Sequence, residues 1–169
     1  YSLTVSLSTT PNIGLTRDFM LINRDPIYQR LTYDAQKYNV VALDPQLPDW
    51  MRQENLMLPR QGNPVAREMA RTWRDHYGSD GAYIEAVLRW FRKSAFHYTL
   101  EPPPLGDNRV DEFLFKTRRG FCEHYSSSFA FLLRAAGIPA RVVVGYQGGE
   151  SSPTGDSWEV RQMDAHAWV

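Results

Sequence analysis

The sequence has a single cysteine, no long hydrophobic run and no excess of charge of either sign. One cysteine, Cys122, excludes an internal disulfide, so its thiol is either a small buried hydrophobe or a reactive group. No apolar stretch approaches the ~18–20 residues that a membrane-spanning helix needs. The 19 basic side chains balance the 19 acidic ones, so nothing in the composition indicates a nucleic-acid-binding surface. What remains is a folded chain with one free thiol.

The first part of the chain has the pattern of β-strands. Ser2–Leu7 alternates polar and apolar residues, as a half-buried strand does, and Leu31–Val41 predicts a longer strand. Because so few strands cannot easily close a core, we predict that residues 1–45 are a β-rich segment remaining from a preceding β domain. Prolines at 45, 48, 59 and 64 break regular structure, and residues 46–62 are therefore interpreted as a proline-rich linker.

Residues 63–169 show a helical pattern first and a strand pattern afterwards. Val65–Tyr77 predicts a helix with a buried stripe at Val65, Met69, Trp73 and Tyr77. Asp80 is expected to cap a second helix, with a buried side at Ile84, Val87, Leu88 and Phe91. Strands are predicted at Phe96–Leu100, at Ala140–Tyr146 and within Trp158–Val169. Helices followed by antiparallel strands predict the α+β class.

The central segment places the cysteine at the start of a helix. The chain is predicted to turn at Gly120 and to continue as a helix of about four turns from Cys122. Its apolar residues recur at helical spacing, namely Tyr125, Phe129, Leu132, Leu133 and Ala136. Gly137, followed by Ile138 and Pro139, predicts its end. Unpaired N–H groups and the positive end of the helix dipole favour a thiolate at Cys122.

A histidine on a strand-like segment supplies a partner for this thiol. His166 lies 44 residues after Cys122, so only the fold can bring the two together. A cysteine at a helix start with a histidine on a later strand is the arrangement of papain-like thiol catalysts. In that chemistry the sulfur attacks an acyl group and the imidazole moves the proton. The alternative is a purely structural role, which is the more common one for a lone cysteine.

Three stretches together resemble the core of the transglutaminase-like superfamily. They are Arg119–Tyr125, Leu133–Tyr146 and Asp164–Val169, and the upstream Asp111–Phe115 also fits. With the β-like residues before it, the chain looks most like the bacterial TgpA-type proteins, which are membrane-anchored with their enzyme domain in the periplasm. The resemblance is strong over residues 63–169, which we interpret as the enzyme core.

The resemblance implies a papain-like fold and the activity of a protein-glutamine gamma-glutamyltransferase. By it, Cys122 would be the nucleophile and His166 the general base and acid. The substrates would be a protein or peptide that carries glutamine and an amine acceptor such as lysine. The domain would be periplasmic, with no nucleic-acid partner. No Ca²⁺-loop pattern is present, so neither a cofactor nor a metal ion is expected.

One part of the family's site has no counterpart in the sequence. In the family an aspartate on the strand after the histidine orients the imidazole, and no such strand follows His166. Asp164 would have to reach sideways along its own strand to replace it. We therefore expect the chain to be a fragment of a longer enzyme, with turnover reduced on the order of 10⁴. A cysteine peptidase or amidase on the same scaffold, or a non-catalytic binding module, are the alternatives.

Three further residues near the site have two readings each. Tyr98 is either a second donor to the oxyanion, beside the Cys122 N–H, or a core residue. His124 next to Cys122 suggests a Cys–His metal pair, but no third or fourth ligand is close in sequence. Trp168 shares a strand face with His166 and either lines the acyl site or packs in the core.

Overall fold

The structure, a computed structural model, describes residues 4–16, 20–39 and 47–169. By its internal contacts the chain divides into two units, Tyr1–Leu47 and Pro48–Val169. Among the described residues, no helix is both long enough and apolar enough to cross a bilayer.

The first unit is built from two antiparallel strand pairs. Strand β1 (Thr4–Ser8) pairs with β4 (Ala35–Asn39), and β2 (Ile13–Leu15) pairs with β3 (Leu21–Asn23). Asp34, just before β4, is bonded to the end of β1, because its carbonyl accepts from Ser8 Oγ at 2.7 Å. A strand is present in each predicted range, but β4 covers only Ala35–Asn39 of the predicted Leu31–Val41, and residues 31–34 are not in a strand. Of the predicted ranges, residues 2, 3, 40 and 41 lie outside the described residues.

The second unit has most of its helices before most of its strands, with the short strands β5 and β6 between helices, which agrees with the predicted α+β class. Its helices are α1 (Asp49–Glu54), α2 (Pro64–Tyr77), α3 (Asp80–Lys93), α4 (Arg109–Asp111), a π-helix (Glu112–Thr117) and α5 (Cys122–Ala135). Its strands are β5 (His97–Tyr98), β6 (Arg119–Gly120), β7 (Val143–Tyr146), β8 (Glu150–Ser151), β9 (Trp158–Glu159) and β10 (Ala165–Trp168). A 3₁₀ turn (Gln162–Asp164) precedes β10.

The proline-rich segment before α2 is hydrogen-bonded to the helical core. Helix α1 lies within it, and the Asn55 carbonyl, just after α1, accepts from the Ala140 N–H at 3.0 Å. The Met57 carbonyl accepts from Arg134 Nη1 at 2.9 Å. These bonds attach Asn55 and Met57 to the residues at and after the end of α5, within the second unit.

The core of the second unit forms where α2 and α3 pack with α5. Ala66 and Ala70 of α2 are fully buried, whereas Val65, which was predicted for the buried stripe, is 51% exposed. The prediction for Val65 is wrong because the closely packed side of α2 is made by its alanines. Tyr83 of α3 is fully buried, and its hydroxyl donates to the Leu132 carbonyl at 3.0 Å. Burial raises the pKa of Tyr83.

The ends of α3 and α5 test the predicted helix signals. The cap of α3 is Ser79, not Asp80, because Ser79 has extended backbone and its Oγ accepts from the Ala82 N–H at 3.3 Å. Asp80 begins the helix and pairs with Arg74 at 2.6 Å. The predicted end of α5 is confirmed, since Gly137 has φ +78°.

That end of α5 is a Schellman motif. The Ile138 N–H donates to the Leu133 carbonyl at 2.9 Å, and the Gly137 N–H donates to the Arg134 carbonyl at 3.0 Å. Glycine suits this position because only it adopts positive φ without a steric cost.

The starts of α2 and α4 cap each other, although they lie far apart in the chain. The buried Asp111 carboxylate accepts from the Val65 N–H at 2.9 Å and from the Ala66 N–H at 2.7 Å. In return, Asn63 Oδ1 accepts from the Val110 N–H at 3.0 Å and from the Asp111 N–H at 3.2 Å. This reciprocal cap joins α2 to the segment that continues through the π-helix towards Cys122.

Candidate active site

The backbone that leads to Cys122 is held by a short parallel strand pair. Strand β6 lies beside β5, with Tyr98 next to Gly120. The Thr99 N–H donates to the Gly120 carbonyl at 2.9 Å, and the His97 N–H donates to the Arg118 carbonyl at 2.8 Å. Cys122 follows as the first residue of α5 and is half-buried. The predicted helix start at Cys122 is confirmed.

The first turn of α5 is bonded to Phe121, the residue before Cys122. The Phe121 carbonyl accepts from the His124 N–H at 2.9 Å and from the Tyr125 N–H at 3.3 Å. The Phe121 N–H donates to the His124 side chain, at 3.4 Å from Nδ1. The N–H groups of Cys122 and Glu123 precede the first of these helical donors, so they lie at the open end of the helix. A negative charge at the sulfur is favoured there.

Aromatic rings surround His124. Its ring centroid lies 4.6 Å from that of Phe121 and 5.5 Å from that of Phe113. A Cβ at Gly120 would lie 2.6 Å from His124 Cγ and 3.0 Å from the Phe113 ring. Gly120 is therefore required because the His124 ring occupies the space of a side chain. The sequence interpretation, in which a backbone or a substrate approached Gly120, did not identify this ring.

The protonation state of His124 follows from its surroundings. Burial lowers the pKa of His124 below its ordinary value of 6.5, while the nearby Glu123 carboxylate acts in the opposite direction. The imidazole is therefore neutral at pH 7, and its Nδ1 can accept the Phe121 N–H if the proton is on Nε2.

Tyr98 lies at the edge of the helix start and not in the core. It is 59% exposed, so the interpretation of Tyr98 as a core residue is wrong. Its ring stacks on Tyr125, with centroids 6.2 Å apart and planes 22° apart. Tyr125 follows Cys122 by three residues and thus lies on the same side of the helix. Burial, together with Tyr98, raises the pKa of Tyr125.

His166 lies on β10, which α5 packs against. Strand β10 is antiparallel to β7 and places His166 opposite Gly145. The half-buried imidazole contacts Trp168, with the ring centroids 4.9 Å apart and the planes at 70°. A Cβ at Gly145 would lie 3.3 Å from the Trp168 ring, so glycine leaves room for the indole. The helix that carries Cys122 and the strand that carries His166 are therefore in direct contact.

No carboxylate within the described ranges hydrogen-bonds to the His166 ring. Asp164 is used by the 3₁₀ turn, because its Oδ2 accepts from the Arg161 N–H at 2.8 Å. In the same part of the chain there is no group of three or more His, Cys, Asp and Glu residues that could hold a metal ion.

Arg118 lies over the Phe96 ring at 5.7 Å and donates from Nε to the Leu114 carbonyl at 3.3 Å.

The contact of His124 with Phe121 is the feature that sequence reasoning missed. A signal for it was present, because His124 lies three residues after the cap position of α5. In a capping box the side chain at that position returns to the N–H of the cap residue. Histidine is not the usual residue there, so the pattern was not recognised.

Comparisons with known proteins agree over most of the chain. A family model described as the transglutaminase-like superfamily matches residues 64–169. A protein-glutamine gamma-glutamyltransferase of Pseudomonas aeruginosa is 45% identical over 169 residues, which are 100% of this chain and 25% of that protein. The uncharacterized protein YebA of Bacillus subtilis is 41% identical over 93 residues, which are 51% of this chain and 13% of that protein.

Solved structures match as well. The periplasmic domain of TgpA from Pseudomonas aeruginosa superposes with a TM-score of 0.84 at 46% identity, over 97% of this chain and 57% of that one. The same domain bound to ethylmercury gives a TM-score of 0.83 at 46% identity, over 97% of this chain and 59% of that one. The chain thus spans a quarter of the length of the curated transferase and somewhat more than half of the solved domains.

Proposed function

Because the chain belongs to the transglutaminase-like superfamily, we propose that it carries out acyl transfer from glutamine side chains to primary amines. The observation that carries the proposal is the contact between α5, which begins at Cys122, and β10, which holds His166. The 45% identity to a protein-glutamine gamma-glutamyltransferase over the whole chain supports the same activity. The natural substrates are then proteins or peptides with an accessible glutamine and an amine donor such as lysine.

In this proposal Cys122 is the nucleophile. Its thiolate attacks the carboxamide carbon of a glutamine, and the C–S bond forms as the carbonyl becomes an oxyanion. The backbone N–H of Cys122, at the open end of α5, is the first donor to that oxyanion. The second is the hydroxyl of Tyr98, since Tyr98 is exposed and lies beside the segment that leads to the thiol.

His166 moves the protons. It takes the thiol proton and gives it to the departing ammonia as the C–N bond breaks, which leaves a thioester on Cys122. It then takes a proton from the incoming amine, which attacks the thioester and releases the enzyme. The contact with the Trp168 ring limits how far the imidazole can rotate. Water in place of the amine gives deamidation.

The proposed compartment is the periplasm. The solved domain that matches 97% of this chain is described as periplasmic, and its identity to the chain is 46%. A free reactive thiol in that compartment is consistent with a chemical role, since structural cysteines there are usually paired.

The test is incorporation of a fluorescent primary amine into a glutamine-rich protein, with ammonia measured in parallel. We expect one ammonia released for each amine or water consumed. Cys122→Ala and His166→Ala should each remove most of the transfer rate that the chain shows. His76→Ala, at an exposed histidine of α2, is the matched control and should leave it unchanged. Cleavage of the substrate backbone would instead identify a peptidase.

The reactivity of the thiol separates an enzyme from a binding module. A thiolate at this helix start should react with iodoacetamide at pH 6 much faster than free cysteine does. Organomercurials bind thiolates, and Cys122 is the one cysteine of the chain, so one equivalent of ethylmercury should block transfer. Slow alkylation, with no transfer activity, would favour a binding module.

A further inference from the structure

We propose that His124 is a positioning residue for Cys122, in which a neutral imidazole holds the loop that presents the sulfur. The proposal rests on the proposed function, because it assigns His124 a role towards the nucleophile of that reaction. His124 lies within one of the stretches that resemble the family, but the resemblance assigns it no role and the chemistry above does not use it.

Two hydrogen bonds between the same two residues enclose Cys122. One joins the His124 N–H to the Phe121 carbonyl at 2.9 Å, and the other joins the Phe121 N–H to His124 Nδ1 at 3.4 Å. Phe121 is the residue before Cys122, and His124 is the second residue after it. The side-chain bond therefore fixes the peptide unit between Gly120 and Phe121. The backbone bond to the Phe121 carbonyl fixes the next peptide unit, between Phe121 and Cys122, which carries the Cys122 N–H. Together the two bonds restrict the backbone on which the Cys122 side chain is carried.

The His124 ring has little freedom to leave this position. Phe113, which is 1% exposed, contacts the ring on one side, and Phe121 contacts it on another. The ring also lies against the Cα of Gly120, where a Cβ would be only 2.6 Å from Cγ. At 3.4 Å this hydrogen bond is long, and its main effect is to fix the position of the Phe121 N–H, because the packed rings hold the acceptor in place.

The role requires an uncharged ring. Protonation would convert Nδ1 from an acceptor into a donor that faces the Phe121 N–H, and the bond would be lost. The groups packed on the ring from the π-helix and the loop, Phe113, Gly120 and Phe121, carry no charge. On α5 itself, the ionisable neighbours of His124 are Cys122 and Glu123. The Glu123 carboxylate favours the charged form of the His124 ring. Burial opposes that charge and keeps the ring neutral.

The test compares two substitutions that separate the ring from its acceptor atom. His124→Asn keeps an acceptor oxygen near the position of Nδ1 but cannot take up a proton. His124→Phe keeps the aromatic volume but has no acceptor. His76→Asn, at an exposed histidine of α2, is the matched control. The measurements are the rate of Cys122 alkylation by iodoacetamide from pH 5 to 9, and kcat and KM for amine transfer.

We expect His124→Phe to slow alkylation at pH 6 and to lower kcat by about 10-fold, with KM unchanged, as loss of a helix cap would. In His124→Asn, the alkylation rate at pH 6 and kcat should stay within about 3-fold of the values of the unmodified protein. Its alkylation rate should also decrease less towards pH 5, because asparagine cannot take up a proton. Equal losses in both variants, or wild-type rates in His124→Phe, would overturn the proposal. Slow alkylation of the unmodified protein would instead overturn the proposed function.

A measurement without a variant keeps the proposal testable if His124→Phe does not fold. The ¹⁵N chemical shifts of the His124 ring report which nitrogen carries the proton. We expect the proton on Nε2 at pH 7, with Nδ1 as the acceptor. A proton on Nδ1, or a charged ring at that pH, would overturn the role assigned here.

Discussion

The two ends of the candidate site are held in different ways. At the Cys122 end, a parallel strand pair, the first turn of α5 and a group of packed rings act on the same few residues. At the His166 end, the described residues provide one paired strand, the contact with α5 and one ring contact to Trp168. Changes at the first end should therefore reduce stability and thiol reactivity together. Changes at the second should reduce turnover while the thiol stays reactive.

The largest expected effect is at the reciprocal cap behind the Cys122 end. Asp111→Ala leaves two N–H groups at the start of α2 without their acceptor, in a buried setting. We expect the free energy of unfolding to fall by about 3 kcal/mol, which is measured by urea denaturation. Asp107→Ala, at an exposed aspartate four residues earlier, should change it by less than about 0.5 kcal/mol. Similar values for both variants would refute the anchoring role.

The next effect concerns the ring that lies on Gly120. Gly120→Ala forces the new Cβ against His124 and Phe113, and we expect a loss of about 1–3 kcal/mol in stability. Cys122 should also be alkylated more slowly in this variant, because the first turn of α5 must shift. Gly81→Ala is the control, since open space surrounds that position, and it should be neutral or slightly stabilising. If Cys122 were alkylated as fast in Gly120→Ala as in the unmodified protein, packing at Gly120 would not control the reactivity of the thiol.

A smaller effect is expected at the His166 end. Trp168→Ala removes the ring contact that limits rotation of the imidazole, so kcat for amine transfer should fall on the order of 10-fold. The alkylation rate of Cys122 should stay the same, in contrast to Gly120→Ala. Trp158→Ala, at a tryptophan that is 63% exposed on β9, is the control. If alkylation fell as far as turnover, the two ends would not be independent.

The smallest effect is the pH dependence that comes from His124. Its pKa is lowered in the folded protein, so below about pH 6.5 the unfolded chain binds this proton more readily than the folded one. Stability from this group is complete above pH 6.5 and decreases as the pH falls below it. Urea denaturation at pH 7 and pH 5 should therefore show a smaller loss for His124→Asn than for the unmodified protein. An equal loss of stability in both proteins would mean that His124 does not contribute to the pH dependence of unfolding.

Signals that act within one or two helical turns predicted the bounds of α5 correctly, but they misplaced the cap of α3 and one buried position of α2. Helix α5 starts at Cys122 and stops just before Gly137 as predicted, because a glycine followed by Ile-Pro cannot easily continue a helix. The cap of α3 was misplaced by one residue, since both Ser79 and Asp80 are good capping types and only the backbone angles choose between them. Val65 was wrongly predicted to be buried, because the spacing of apolar residues identifies a stripe along a helix but not which residues at its edge are closely packed.

The contacts between segments that are distant in the chain could not be predicted from local sequence patterns. Asp111 fitted a family pattern, but its bonds to Val65 and Ala66 join residues 45 or 46 positions apart in the chain. Cys122 and His166 were named from their types and from the resemblance, and the packing of α5 against β10 required the fold. Their roles as nucleophile and base stay predictions until the variants above are measured.

The reciprocal cap also has a consequence for local opening of the protein. The amides of Val65 and Ala66 are bonded to Asp111, and those of Val110 and Asp111 are bonded to Asn63, so neither group can exchange with solvent unless both segments separate. In hydrogen exchange these four amides should therefore open as one cooperative unit, with a common protection factor. Such an opening would also release the chain that leads to the thiol.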